Sequence, residues 1–306
     1  MTDEHKWCMI ESIINLIGDR VVELNHKKDI LYLHIGVMLF SFSGIIAQYV
    51  EVPAISAAMG RVLCSSTLLF CIAKIRRESL RLDNGKDYAA IIATGVVLAI
   101  HWVTFFYSIQ ISTVAIGAIT FTTFPLFITF IEPVVFRERL KIKSIIRAVF
   151  VLIGVMITVP EFSLGNQMTV GIVWGMVSSF TYAIATMANR YFSKKYTSRV
   201  VCIYEQGTAA IALLPSLFIV TAVWRVQDII GVIIVGCVCT AFAYSFYITA
   251  QKRVKAQIAG IIAGMETVYG IFFAFILLGE IPTIRELVGG AVILGVALLT
   301  SLDKKG

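Results

Sequence analysis

Few ionisable side chains fall inside the long apolar runs of this sequence, and each one restricts the chemistry open to the chain. Glu266 lies about ten residues past Ala256, roughly 15 Å into an apolar run at 1.5 Å per residue, too deep for its carboxyl group to reach water. A lone carboxylate there binds a proton or pairs with a cationic solute; the alternative is a neutral acid hydrogen-bonded to a neighbouring helix. His101 and Trp102 stand side by side in the middle of another run. An imidazole suits proton coupling or a hydrogen bond to a carboxylate substrate and an indole suits stacking, with a packing histidine as the plain alternative. Arg61 either holds a substrate carboxylate or belongs to a fixed ion pair, with snorkelling towards the outer surface open to it. Glu266 and His101 are therefore the candidate proton-coupling groups. The candidate substrate-binding set is Gln48, Arg61, His101, Trp102, Tyr182, Tyr244, Tyr247, Glu266 and Tyr269.

These residues recur at helical spacing, so helices must carry them. Ser41, Gly44 and Gln48 share one face of a run, as do Thr94, His101, Thr104 and Ser108 on another. Thr122, Pro125, Thr129 and Glu132 form a third stripe, and Gly171, Gly175, Ser178, Tyr182 and Asn189 a fourth. Thr240, Tyr244, Tyr247 and Gln251 make a fifth stripe; Glu266, Tyr269 and Phe273 make the sixth. Polar stripes inside apolar helices mark walls that face protein or water rather than lipid. The pairs Gly171 with Gly175 and Gly260 with Gly264 have the spacing that lets helices pack closely. Glu132 and Glu205 fall nearer the ends of their runs, where water can solvate them, and read as gating or capping groups.

The chain is 58% hydrophobic and 15% charged, with a mean hydropathy of +0.87, too little polar surface to coat a soluble globule. About ten apolar runs follow residue 29, which predicts an all-α integral membrane protein of about ten transmembrane helices. Residues 1–29 read as a cytoplasmic segment, either an amphipathic helix built on Trp7, Ile10, Ile14, Ile17 and Val21 or a poorly ordered tail. The net charge of +7 comes from Lys and Arg gathered in alternate short loops, a pattern of membrane orientation rather than nucleic-acid binding. It places both termini in the cytoplasm. The six cysteines lack the spacing of a metal site or a disulfide framework. No cofactor or metal is expected.

The stretch from Ser112 to Thr158 is echoed by Val254 to Ser301, with Glu138 falling on Glu280 and, after a one-residue gap, Gly154 on Gly295. Residues 30–160 and 161–306 are thus read as two five-helix repeats, and an odd number of spans per copy threads them in opposite senses. The double pattern, Pro125 to Glu138 to Gly154 and Glu266 to Glu280 to Gly289, Gly290 and Gly295, resembles the EamA-type members of the drug/metabolite transporter superfamily. The second copy departs from it: where such halves often carry Glu-Pro, this one has Glu266-Thr267, putting a proline kink there in doubt. The resemblance implies a ten-helix inner-membrane carrier of small metabolites, often an exporter, with its cavity between the halves.

The expected function is secondary transport, by alternating access, of a small organic metabolite such as an amino acid or related amphiphile, without enzymatic activity. An intramembrane enzyme acting on lipid is the alternative of another class, but the runs hold no His-Glu-x-x-His motif, Asp-rich cluster or Ser/His/Asp set. A channel or membrane sensor is the other. The fifth and tenth runs have few central polar residues, so they are expected to support the bundle from outside or to form a homodimer surface.

Overall fold

The structure is a computed structural model, and it describes residues 28–136, 142–158, 165–192, 194–251 and 256–302. The N-terminal amphipathic segment and Glu138 lie outside the described residues, as do the side chains of Glu132, Gly260 and Gly264. Helices make up almost all of the rest. In chain order they are α1 (Lys28–Tyr49), α2 (Ala54–Ile75), α3 (Gly85–Ile111), α4 (Val114–Phe121), α5 (Phe124–Phe136), α6 (Ile142–Thr158) and α7 (Gln167–Phe192). There follow α8 (Ser198–Leu213), α9 (Ser216–Ile219), α10 (Val226–Gly236), a π-helical turn (Cys237–Phe242), α11 (Ala243–Gln251), α12 (Ala256–Leu278) and α13 (Ile284–Leu302). Among the described residues six of the spans are long and apolar enough to cross a bilayer outright, and α4 with α5, α6, α12 and α13 bring the number of apolar spans to ten.

Three spans expected to be continuous are interrupted, each for a chemical reason. The fourth breaks at Thr122 and Thr123 because Pro125 has no N–H to give to the Phe121 carbonyl one turn back. Ser179 Oγ on α7 donates to that carbonyl at 3.2 Å, which satisfies the freed group inside the bundle. The seventh breaks ahead of Pro215, leaving the short α9. The eighth takes in one π turn, where the Thr240 hydroxyl donates to the Val235 carbonyl at 2.8 Å. By contrast α12, which carries Glu266-Thr267 in place of Glu-Pro, runs unbroken through that position.

The packing shows the repeat. Helices in matching positions of the two halves pair with each other: α2 packs on α8, α4 on α12 and α6 on α13. These pairs run antiparallel. Thr158 meets Gly289 while Gly154 meets Ile293, and the residue just past α12, Glu280, accepts from the Val114 N–H that opens α4. Each half is therefore the other turned over, the two-repeat architecture of an inverted pair. Close approach needs small residues, since a Cβ on Gly289 would lie 2.6 Å from the Gly154 carbonyl oxygen. The α6–α13 pair stands at the side of the bundle and turns Ile146, Phe150 and Met156 outward, an apolar face matched to lipid.

Candidate functional site

The main buried core lies where α1, α2, α3, α7, α8 and α11 meet, and within it rings from both halves enclose a cavity. Its walls are Phe40 on α1, His101, Trp102 and Phe105 on α3, Phe121 on α4, Tyr182 on α7, Tyr244 on α11 and Glu266 on α12. The cavity itself is small, about 10 Å³ and room for about one water molecule, and the 270 Å³ of empty space around it includes the crevices between the rings and the opening. Ring contacts tie the walls into one cluster: Phe40 to Tyr244 at 5.1 Å, His101 to Tyr182 at 4.9 Å and Phe121 to Tyr182 at 5.0 Å between centroids. Such pairs add about 0.5–1.5 kcal/mol each beyond the area they bury, so the walls hold their shape while leaving a polarizable lining.

The register that sets Glu138 on Glu280 also sets Phe40 on Tyr182, Trp102 on Tyr244 and Phe124 on Glu266. Two pairs of cavity walls thus come from matching helix positions in the two halves. The carboxyl group breaks the match: one half offers a phenyl ring where the other offers Glu266. Glu266 keeps part of its surface open inside the bundle, and its backbone carbonyl accepts from Ser41 Oγ at 2.9 Å, pinning α12 to α1 at this level.

His101 is 1% exposed. Its Nδ1 lies 3.0 Å from the Ser178 carbonyl oxygen and 2.9 Å from Ser178 Oγ. A carbonyl only accepts, so Nδ1 carries the proton, and Ser178 Oγ gives its own to the His101 carbonyl at 3.3 Å. Nε2 is left with a lone pair and no partner, as Trp102 Nε1 is left with an unmatched N–H. Unpaired polar atoms in an apolar wall are costly unless something else meets them, and these two belong to residues that line the cavity.

Arg61 does not snorkel; it is fully buried. Its Nε donates to Thr240 Oγ1 at 2.7 Å, its Nη1 lies 3.5 Å from Ser43 Oγ, and its guanidinium carbon stands 3.3 Å from the centroid of the Trp102 ring. A stacked cation without water is held by about 2 kcal/mol or more. The π turn supplies the Thr240 hydroxyl, so this irregular turn positions the Arg61 guanidinium. Arg61 stands behind the wall, where its charge reaches Tyr244 and Glu266.

Of the candidate residues, the structure brings His101, Trp102, Tyr182, Tyr244 and Glu266 to one cavity, with Arg61 in support. It places the other three elsewhere. Gln48 donates to the Ile109 carbonyl at 2.8 Å, at the far end of α1. Tyr247 packs against Phe40 with ring centroids 5.9 Å apart, and the Tyr269 hydroxyl meets His34 Nδ1 at 2.8 Å. Phe40, Phe105 and Phe121 line the cavity without having been singled out, because a ring on an apolar helix face looks the same whether it meets lipid or a cavity. The register that pairs Phe40 with Tyr182 would have flagged the first. Glu205 departs from its expected solvation, being 1% exposed with Oε1 unpartnered. Gly171 and Gly175 do pack closely: a Cβ at Gly175 would overlap the Thr120 side chain on α4.

Comparison with known proteins agrees with this architecture. The family model described as "EamA-like transporter family" matches twice, over residues 27–159 and 169–302. A protein of Archaeoglobus fulgidus described as an uncharacterized transporter is 27% identical over 217 residues, covering 71% of this chain and 78% of its own. The "Uncharacterized transporter YxxF" of Bacillus subtilis is 20% identical over 284 residues, covering 90% of both chains. An uncharacterized transporter of Helicobacter pylori is 23% identical over 271 residues, covering 85% of this chain and 90% of its own. A solved crystal structure superposes with a TM-score of 0.64 at 16% identity, covering 90% of this chain and 98% of the other, a likeness of fold alone. With both halves matched across nearly all of the described helices, the chain belongs to the EamA-like transporter family.

Proposed function

We propose that this transporter carries a small amphiphilic metabolite, an amino acid or a related compound, by alternating access with a proton as the coupling ion. The observation that carries the reading is the single carboxyl group, Glu266, set among rings at the junction of two inverted repeats. A carboxyl group there alternates between holding a proton and pairing with the ammonium group of a solute, while the rings accept its apolar part. His101 Nε2 and Trp102 Nε1 supply one acceptor and one donor for its polar end. Two halves related by a pseudo-two-fold axis can exchange conformations, exposing the same site to either face.

The positive loops support a bacterial inner-membrane setting with both termini in the cytoplasm. Export as the direction rests on the family resemblance, and the residue ranges 30–160 and 161–306 are proposed as the two functional halves. The outward apolar face of α6 and α13 is proposed as the contact surface should the protein dimerise.

Metabolites that raise the melting temperature of the purified protein identify ligands of the folded state. Counterflow of such a ligand in proteoliposomes should show trans-stimulation, which a channel or an enzyme lacks. Glu266→Gln should abolish proton-driven flux at least about tenfold while leaving the protein folded. Unchanged flux would remove Glu266 from the mechanism.

A further inference from the structure

The charge on Arg61 is met only by neutral groups. Nε donates to the Thr240 hydroxyl at 2.7 Å, Nη1 lies 3.5 Å from the Ser43 hydroxyl, and the guanidinium carbon stands 3.3 Å from the Trp102 ring centroid and 5.4 Å from that of Phe106. Among the described residues no carboxylate lies within ion-pair distance of it, and Nη2 has no partner. Two hydroxyls and two rings hold a buried guanidinium in place without cancelling its charge, so the arrangement is short of one anion.

Trp102 joins this charge to the cavity. The same indole carries the guanidinium on its ring and lines the cavity, and its own Nε1–H is unpartnered. A cation on the ring draws π density towards itself and makes that N–H a stronger donor. Two bare donors in stacked side chains, one of them charged, suit a carboxylate, which accepts through both oxygens. Glu266 lines the same cavity, and the closed space has room for about one water molecule. A solute that meets both groups therefore carries its two charges only a few bonds apart. We propose that Arg61 and Trp102 form a carboxylate subsite, so that the solute of this transporter is a zwitterion with its ammonium group on Glu266 and its carboxylate on Trp102 Nε1 and Arg61 Nη2. The proposal rests on reading Glu266 as the group that takes the ammonium. As the halves part to admit the solute, a tilt of the indole uncovers Nη2. A zwitterion adds no net charge to the bundle and gives each buried charge its counter-ion.

The probes are leucine, methionine, phenylalanine and tryptophan, each beside the amine that lacks its carboxylate. Binding to the purified full-length protein in lipid nanodiscs is measured by calorimetry at one pH. At least one of the amino acids should bind the wild type about tenfold or more tighter than its amine, the worth of a hydrogen bond to a charged group. Trp102→Phe keeps a ring under Arg61 but removes the N–H, and Arg61→Gln removes the charge; each should bring the ratio of the two affinities towards one. Arg61→Lys should keep part of it. A merely structural role would weaken both ligands together and leave the ratio standing. Glu266→Gln should weaken amino acid and amine alike, since both present the ammonium group. Amines that bind the wild type as tightly as the amino acids overturn the carboxylate subsite and leave Glu266 as a cation site. Binding untouched by Glu266→Gln, with the ratio still lost in Trp102→Phe, removes the Glu266 reading and leaves the Arg61–Trp102 subsite. If none of the amino acids binds, the proposal and the amino-acid reading fall together. Should Arg61→Gln not fold, Trp102→Phe and Arg61→Lys decide the outcome.

Discussion

Arg61 shows how much of a residue's role lies in its partners. Its depth in an apolar run is plain from the sequence, as is the demand that a buried guanidinium be met. What meets it is not. The Trp102 ring comes from α3, and Thr240 comes from a span more than one hundred residues on, exposed to Arg61 by a π turn that leaves the apolar pattern of that span unaltered. Arg61→Lys keeps the charge but loses the flat stack and the directed Nε donor. It should lower stability by about 2 kcal/mol, read as a fall in melting temperature in detergent. Thr240→Val removes only the hydroxyl and should have a smaller effect of the same sign. Glu266, His101, Tyr182 and Tyr244 stood out in the sequence as ionisable or hydroxyl-bearing groups on polar stripes, and Trp102 as the indole beside His101. The phenyl rings between them carried no such mark, and Gln48 and Tyr269 carried it for a different reason, as hydrogen-bond ties between helices.

At the scale of elements, helix ends and breaks decide which side chains meet. The positive φ of 68° at Gly279 turns the chain out of α12, so that Glu280 accepts the Val114 N–H at 3.2 Å and caps α4 of the other half. Burial pushes the Glu280 carboxyl group up from its ordinary 4.5, and this outweighs the Val114 and Ala115 amides that favour its charged form. The folded protein therefore holds this proton more tightly than the unfolded chain. Its contribution to stability is complete below the ordinary carboxylate range and is lost as pH rises through the raised folded value. Melting temperature should decline over that window, and Glu280→Gln should flatten the decline. The α6–α13 contact admits no bulk: Gly289→Leu must push aside the Gly154 backbone and Thr158, and should cost about 1–3 kcal/mol, measured by thermal melting in detergent. The recurrence of these glycines and of Glu138 with Glu280 was legible as a repeat. The capping of one half by the other was not, because a turn glutamate gives no hint of which helix start it will reach.

The whole molecule is clasped at both ends by matching residues. Asp87 is the third residue of α3, and Asp228 the third residue of α10, which opens the corresponding span of the second half. Each is buried and reaches across to the other repeat. Asp87 accepts from the hydroxyls of Tyr191 at 3.0 Å and Tyr196 at 2.6 Å and pairs with Lys195. Asp228 accepts from the Glu51 N–H at 2.9 Å and, beside it, Arg225 pairs with Glu51. Asp228→Ala leaves the backbone N–H groups of Glu51 and Arg225 unmet and should cost about 2 kcal/mol. Asp87→Ala should loosen the opposite end instead, and cysteines placed along the cavity wall should then react faster with a thiol reagent added from that side. The inverted halves were visible in the loop charges and the odd number of spans. These paired aspartates were not, since each reads as an ordinary acid in the first turn of a helix.

The two halves differ in one respect that bears on their motion. Pro125 divides the fourth span into α4 and α5, while α12, its counterpart, is one rigid rod. In a carrier that works by trading the shapes of its halves, the jointed arm bends more readily than the solid one. The strokes towards the two membrane faces then cross barriers of unequal height, and flux in opposite directions should saturate at different solute concentrations even with no gradient to favour either.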